Sequence, residues 1–224
     1  MPVNPNASIE ITAFAWVPPF AEGFVRDLRA RWACEEMGLD YAERLIDVTS
    51  PRPASYLREQ PWGQVPVLKD QGIEWFESGA ILLHLGEKDA RLLPLDPQGR
   101  ARAISWLFAA LNTIEPRVME FATINVFAKE ETWAIQRRPS LLTFIGVRLD
   151  GLADALGEKT FLAGEFSVAD IAMATVLKEL QDTSLVSSRL RLSAYLDRCL
   201  ARPAYQRALD AQIEVFRRTS AEGA

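Results

Sequence analysis

Cysteine and histidine are nearly absent from this chain, and their scarcity removes several function classes. The two cysteines, Cys34 and Cys199, stand far apart with no C-x-x-C pair, which argues against a disulfide framework and a cysteine-built zinc site. With His84 the single histidine, a histidine-based metal centre has no ligands to draw on. The 25 Lys and Arg residues face 30 Asp and Glu, the net charge is −5, and no basic block occurs, so a nucleic-acid partner is not expected. No apolar run approaches the ~20 residues of a bilayer span, so no membrane association is expected either. The opening Met1-Pro2-Val3-Asn4-Pro5-Asn6 lacks the charged and apolar regions of a signal peptide. Free thiols and the lack of a targeting segment point to the cytoplasm. What is present is a 224-residue chain, 49% hydrophobic, long enough for one large or two smaller cores.

Hydrophobic periodicity changes character near residue 89. Before it, Ile9, Ile11 and Ala13 alternate with polar neighbours, which predicts a strand. A loop over residues 16–23 leads into a helix over about 24–37, with Val25, Leu28 and Trp32 on one face and Gly38 as its stop. A strand follows at 41–48, then Pro51 and Pro53 break the chain before a short helix at 54–59. Residues 66–69 and 73–76 flank the turn Asp70-Gln71-Gly72, and a third helix is expected over 78–88. The order βαβαββα is that of an α/β thioredoxin-like domain. Residues 89–98, with Pro94 and Pro97, read as a linker. Beyond them helical spacing predicts an all-α domain over 99–216, with helices near 99–126, 130–156, 167–182, 189–201 and 203–215 and a frayed tail over 217–224. Pro116 should kink or split the first of these. Ser167-Val168-Ala169-Asp170 has the form of a capping box, a folding device.

Two short segments in the first domain demand special backbone chemistry. Pro61-Trp62-Gly63-Gln64-Val65-Pro66-Val67-Leu68 opens an apolar strand with a proline. An X-Pro bond is where a cis peptide is cheap, roughly 0.5–1 kcal/mol against ~3 elsewhere. A cis Val65–Pro66 bond turns the Val65 N–H and C=O outward, where an extended peptide can pair with them. Next, Glu77-Ser78-Gly79 opens the third helix, with Ser78 expected as its cap. The free N–H groups of a helix start attract a carboxylate. The two segments together describe a site for a small peptide that carries a carboxylate.

In Pro61, Gly63, Val65, Pro66, Val67, Leu68, Glu77 and Ser78 the chain resembles the glutathione S-transferase superfamily, and the domain order extends the likeness over nearly its whole length. The resemblance implies glutathione as co-substrate, bound by Gln64, Val65, Pro66, Glu77 and Ser78, with Gln64 toward the glycyl end. It also implies a homodimer and an apolar pocket for a small hydrophobic electrophile on the first long helix of the second domain, at Trp106, Phe108 and Asn112, with Met119 and Phe121 nearby. These aromatic positions serve core packing equally well.

The chain departs from the family where the thiol is activated. Members place a Tyr, Ser or Cys just after the first strand, yet residues 13–33 contain no Ser, Thr, Tyr or Cys, and Cys34 falls about three turns into the helix. An unassisted thiol has a pKa near 8.5 and is mostly protonated at neutral pH. The remaining candidates are the backbone N–H groups of Gly23, Phe24 and Val25, at the start of a helix whose dipole favours an anion, and the indole N–H of Trp16. Arg26 reads more readily as a solvated surface cation and His84 as a packed histidine, while Arg52 reads either as a partner for a ligand carboxylate or as an exposed arginine. The functional expectation is a glutathione-dependent transferase whose thiolate attacks or reduces a small electrophile. The alternative is a non-catalytic binding or assembly protein that keeps the fold.

Overall fold

The alternating residues at 9–13 form strand β1 (Ile9–Phe14), the spine of a four-stranded sheet in the computed structural model, which describes residues 3–222. β1 runs parallel to β2 (Tyr41–Ile46), with Ile9 opposite Tyr41 and Phe14 opposite Ile46. On its other side it pairs antiparallel with β3 (Val67–Asp70), which pairs with β4 (Ile73–Phe76) across the turn at Gln71-Gly72. The sheet order is therefore β2-β1-β3-β4. The parallel β1–β2 connection passes through helix α1 (Asp27–Met37), which ends on Gly38 at φ 70°, a conformation that glycine adopts without a steric penalty. α2 (Ala54–Glu59) precedes β3, and α3 (Ser78–Gly86) follows β4. Ile11, Leu28, Trp32, Leu68, Ile81, Leu82 and Leu85 fill the core between sheet and helices. A thioredoxin-like sheet domain followed by a helical region is thus the architecture.

The helices of the second region are α4 (Pro97–Phe108), α5 (Glu115–Phe127), α6 (Thr132–Leu156), α7 (Val168–Lys178), α8 (Ser184–Ser187) and α9 (Leu190–Leu200). Asp96 caps α4 by accepting from the Gly99 N–H at 2.7 Å. The helix expected over 99–126 is divided just ahead of Pro116. Residues Ala109–Ile114 widen into a π-helical turn between α4 and α5. A proline has no N–H for the carbonyl one turn earlier and its ring crowds that carbonyl, so a local change of helical winding absorbs both problems. The capping box at α7 is complete: Ala169 N–H donates to Ser167 Oγ at 3.3 Å, and Ser167 N–H donates back to Asp170 Oδ2 at 2.9 Å.

Two domain boundaries differ from those expected. The chain divides into one unit of residues 1–89 with 201–224 and a second of residues 90–200. The last helix, α10 (Pro203–Glu222), therefore belongs with the sheet and not with the helical region. Its Tyr205 ring meets the buried Trp32 of α1 edge to face at 4.8 Å. A 3.6-residue apolar period identifies a helix that must bury one face, but it does not say against what. The expected tail is helical through Glu222, and residues 223–224 lie outside those described. The expected linker also carries buried residues: Leu92 and Leu93 are in the core, and the Leu92 carbonyl accepts from Val168 N–H at 2.9 Å.

Candidate functional site

The Val65–Pro66 peptide bond is cis, and it sits at the entrance to β3. The preceding turn is held by side chains. Tyr56 Oη donates to the Gln64 carbonyl at 2.5 Å, and Arg52 Nε donates to the Gly63 carbonyl at 2.9 Å. Gly63 stands at φ 66°, and a Cβ there would come within 3.0 Å of Arg52 Cγ, so position 63 needs glycine for conformation and for space. Gln60 Oε1 takes the Trp62 N–H at 2.7 Å. These contacts fix the chain just ahead of Val65 and use none of its own polar groups. Among the described residues, neither the N–H nor the C=O of Val65 has a hydrogen-bond partner. The Gln64 side chain is exposed beside it.

Ser78 is the first residue of α3, and Glu77, not Ser78, occupies the capping position. Glu77 has φ 67°, unusual for a residue with a side chain, and such a conformation costs roughly 1–3 kcal/mol. Backbone strain of this kind gathers at binding and switch sites. Ser78 is 6% exposed and its Oγ accepts a hydrogen bond from Arg29 Nη1 at 3.0 Å. Arg29 lies on α1, 3% exposed, so a guanidinium stands directly behind the hydroxyl. A guanidinium can only donate, so the serine oxygen is committed as acceptor and its proton is left to be given away. Sequence reasoning missed Arg29. The available signal was an arginine set among Leu28, Ala30, Trp32 and Ala33, where a solvated charge does not belong.

The segment after β1 is shaped differently from the expectation. Residues 19–21 form a single 3-10 turn, and α1 begins only at Asp27, so Gly23, Phe24 and Val25 lie in the turn ahead of the helix rather than in its first turn. The Phe24 N–H is already spent on the Ala21 carbonyl at 3.1 Å, which removes it as a free donor. Among the described residues the Val25 N–H has no hydrogen-bond partner, while the Val25 carbonyl accepts from Leu28 N–H and Gln212 Nε2, each at 3.1 Å. Trp16 is 38% exposed, and its neighbour Val17 is buried with Val215 and Phe216 of α10. The nearest upstream hydroxyl, Thr12, is fully buried and accepts from Arg44 Nε at 2.8 Å. Cys34 is fully buried, and burial pushes its thiol up to about 12.

The remaining candidates have structural partners. Arg52 Nη1 donates to the Asp47 and Ser50 carbonyls at 2.6 and 2.7 Å, and its guanidinium lies over the Phe14 ring at 5.2 Å. His84 Nε2 is 2.8 Å from Asp70 Oδ2 and its ring stacks on Trp75 at 4.5 Å, with Lys88 Nζ 2.6 Å from the same carboxylate. Arg26 holds the capping position of α1. In the second unit Trp106 is half-buried, whereas Phe108 and Asn112, four residues apart, are exposed on α4 and the π turn that continues it. Phe121 is a core residue at 8% exposure.

The loop with the unpaired Val65 backbone step and the helix start that bears Ser78 lie in one thioredoxin-like unit. The family model "Glutathione S-transferase, N-terminal domain" matches residues 20–87. Glutathione S-transferase F14 of Arabidopsis thaliana is 31% identical over 204 residues, which cover 82% of this chain and 79% of that protein. The Disulfide-bond oxidoreductase YfcG of Escherichia coli (strain K12) is 31% identical over 155 residues, covering 62% and 68%. Among solved structures, a glutathione transferase from Pseudomonas putida, with one glutathione disulfide bound per protein subunit, superposes with a TM-score of 0.79 at 23% identity over 93% of both chains. The chain belongs to the glutathione S-transferase superfamily. No helix among the described residues is long and apolar enough to cross a membrane.

Proposed function

We propose that this protein binds glutathione in its first unit and uses the thiolate against a small hydrophobic electrophile. The observation that carries the reading is the pairing of an unpartnered Val65 backbone step with a Ser78 hydroxyl whose proton Arg29 leaves free. The Val65 N–H and C=O clamp the tripeptide as an added strand would. Its γ-glutamyl carboxylate takes the Ser78 hydroxyl and the free N–H groups of α3, with Glu77 and Gln64 at the rim. The Val25 N–H, with the Trp16 indole, faces the sulfur. The electrophile lies against the exposed face that carries Phe108 and Asn112, beside Trp106. A homodimer fits the large apolar side chains left open on the first unit, Trp62 at 70%, Ile73 at 55% and Phe76 at 39% exposure. The test is calorimetric titration with glutathione. Losing a hydrogen bond to a charged group costs roughly 1.5–3 kcal/mol, so Ser78→Ala should weaken binding at least tenfold. Unchanged affinity refutes the placement.

A second reading, a binding or assembly protein without thiol activation, is favoured by one observation. No hydroxyl or thiol side chain stands at residues 13–33, Thr12 is engaged and Cys34 is buried. Ultraviolet titration of the bound thiol separates the two. A depressed thiol pKa supports the transferase, and an undisturbed thiol or absent binding supports the scaffold.

A further inference from the structure

The C-terminal helix α10 is tied to the sheet unit by a row of polar contacts. Just ahead of the helix Arg202 makes a two-pronged pair with Glu36 at 2.6 and 2.8 Å, and on it Arg207 pairs with Glu35 at 2.7 Å and Arg218 with Glu43 at 3.3 Å. Gln212 differs from these in what it touches. It is fully buried, and its Nε2 donates to Asp27 Oδ1 at 2.7 Å and to the Val25 carbonyl at 3.1 Å. Asp27 opens α1, and its other carboxylate oxygen takes Arg31 Nε at 2.7 Å. Arg31 in turn pairs with Glu43 on β2. One amide of α10 therefore holds both the carbonyl of the residue whose N–H is unengaged and the first side chain of the helix behind it. A buried amide is costly without hydrogen bonds, and the neighbouring Ala208, Ala211 and Val215 show that apolar side chains suffice to pack this face.

We infer that Gln212 is a positioning residue that fixes the Gly23–Val25 turn, so that the state of the C-terminal helix sets how well a bound thiolate is stabilised. The inference rests on the proposed use of the Val25 amide toward glutathione sulfur. Preorganised N–H groups stabilise developing charge because they need no reorganisation, and a turn free to rock loses that advantage. Glu22 and Arg26 flank the turn in the chain, Asp27 and Arg31 of α1 follow it, and Glu43 of β2 and Arg218 of α10 join the same ion-pair chain through Arg31; Gln212→Met replaces none of them. That substitution keeps side-chain length and removes the donor.

The experiment measures the pKa of bound glutathione from thiolate ultraviolet absorbance, its affinity by calorimetry, and kcat with chlorodinitrobenzene. Gln212→Met should raise the bound-thiol pKa by about one unit and lower kcat at neutral pH about tenfold, with glutathione affinity within about twofold of wild type. Arg207→Gln, which loosens α10 without touching the turn, should lower the melting temperature and leave the thiol pKa at its wild-type value. Gln212→Asn, too short to reach both acceptors, repeats the test if the methionine variant does not fold. An unchanged thiol pKa in a folded Gln212 variant, an equal rise in Arg207→Gln, or failure of both Gln212 variants to fold overturns the inference and leaves the glutathione site standing. A wild-type protein that binds glutathione without depressing its pKa overturns this inference and the thiolate reading together.

Discussion

Replacing Asp170 by alanine should destabilise the protein strongly and leave glutathione affinity alone. Asp170 is fully buried, and its carboxylate accepts from Leu162 N–H at 3.0 Å, Ser167 N–H at 2.9 Å, Ser167 Oγ at 3.1 Å and Tyr195 Oη at 2.9 Å. Alanine removes the reciprocal half of the α7 capping box, worth about 0.5–2 kcal/mol. It also strands the Leu162 N–H and the Tyr195 hydroxyl in the interior, at about 1–3 kcal/mol each. Against these losses stands the relief of a buried charge, since burial raises the Asp170 pKa above the usual carboxylate value. The balance is a loss of about 3–5 kcal/mol, at the upper end for single substitutions. At ~2–4 °C per kcal/mol for a chain of this size, the melting temperature should fall by about 10 °C. Urea unfolding and a thermal melt followed by circular dichroism measure both quantities, and calorimetry on the folded variant measures affinity. A variant that melts like wild type, or one of normal stability that no longer binds glutathione, refutes the assignment of Asp170 to the folding scaffold.

Trp16→Phe distinguishes the indole from the backbone as thiol donor: a rate loss beyond about tenfold at unchanged glutathione affinity brings the indole into the site, and wild-type behaviour leaves the Val25 amide. Cys34 should resist alkylation by iodoacetamide up to about pH 9 in the folded protein and react in urea, because burial holds its thiol near 12; prompt labelling of the native protein contradicts the packing of α1. Its stability effect has a definite sign. A thiol held protonated above its ordinary value of 9.0 withdraws stability only as pH rises past that value, so denaturant midpoints should be flat through neutrality and fall above about pH 9. Light scattering should give about twice the 25.1 kDa chain mass at micromolar concentration, and Trp62→Glu should reduce it; a monomeric wild-type protein rules out the dimer.

What the sequence disclosed, and what it withheld, follows from the range of the interactions involved. The cis-proline loop, the β3–β4 turn and the α7 capping box were readable because each depends on a few adjacent residues whose backbone demands are local. The location of α10 was not, since Arg202, Arg207 and Gln212 meet Glu36, Glu35 and Asp27 across more than half the chain, and pairings of that kind leave no spacing to detect. Arg29 was hidden for a related reason: its partner Ser78 lies 49 positions away, on another helix. The start of α1 was misplaced by three residues because no side chain caps it, and the contacts Val25 makes with Gln212, Val215 and Phe216 come from the far end of the chain. That misplacement matters chemically. With Phe24 bonded to Ala21, the candidate backbone donors of this turn narrow from three residues to Gly23 and Val25. A single preorganised amide is worth about 10²–10³ in rate when its geometry is held. On the proposed use of this turn, thiol activation depends on how rigidly the turn is fixed, and α10 reaches it with Gln212 by a hydrogen bond and with Val215 and Phe216 by packing on Val25.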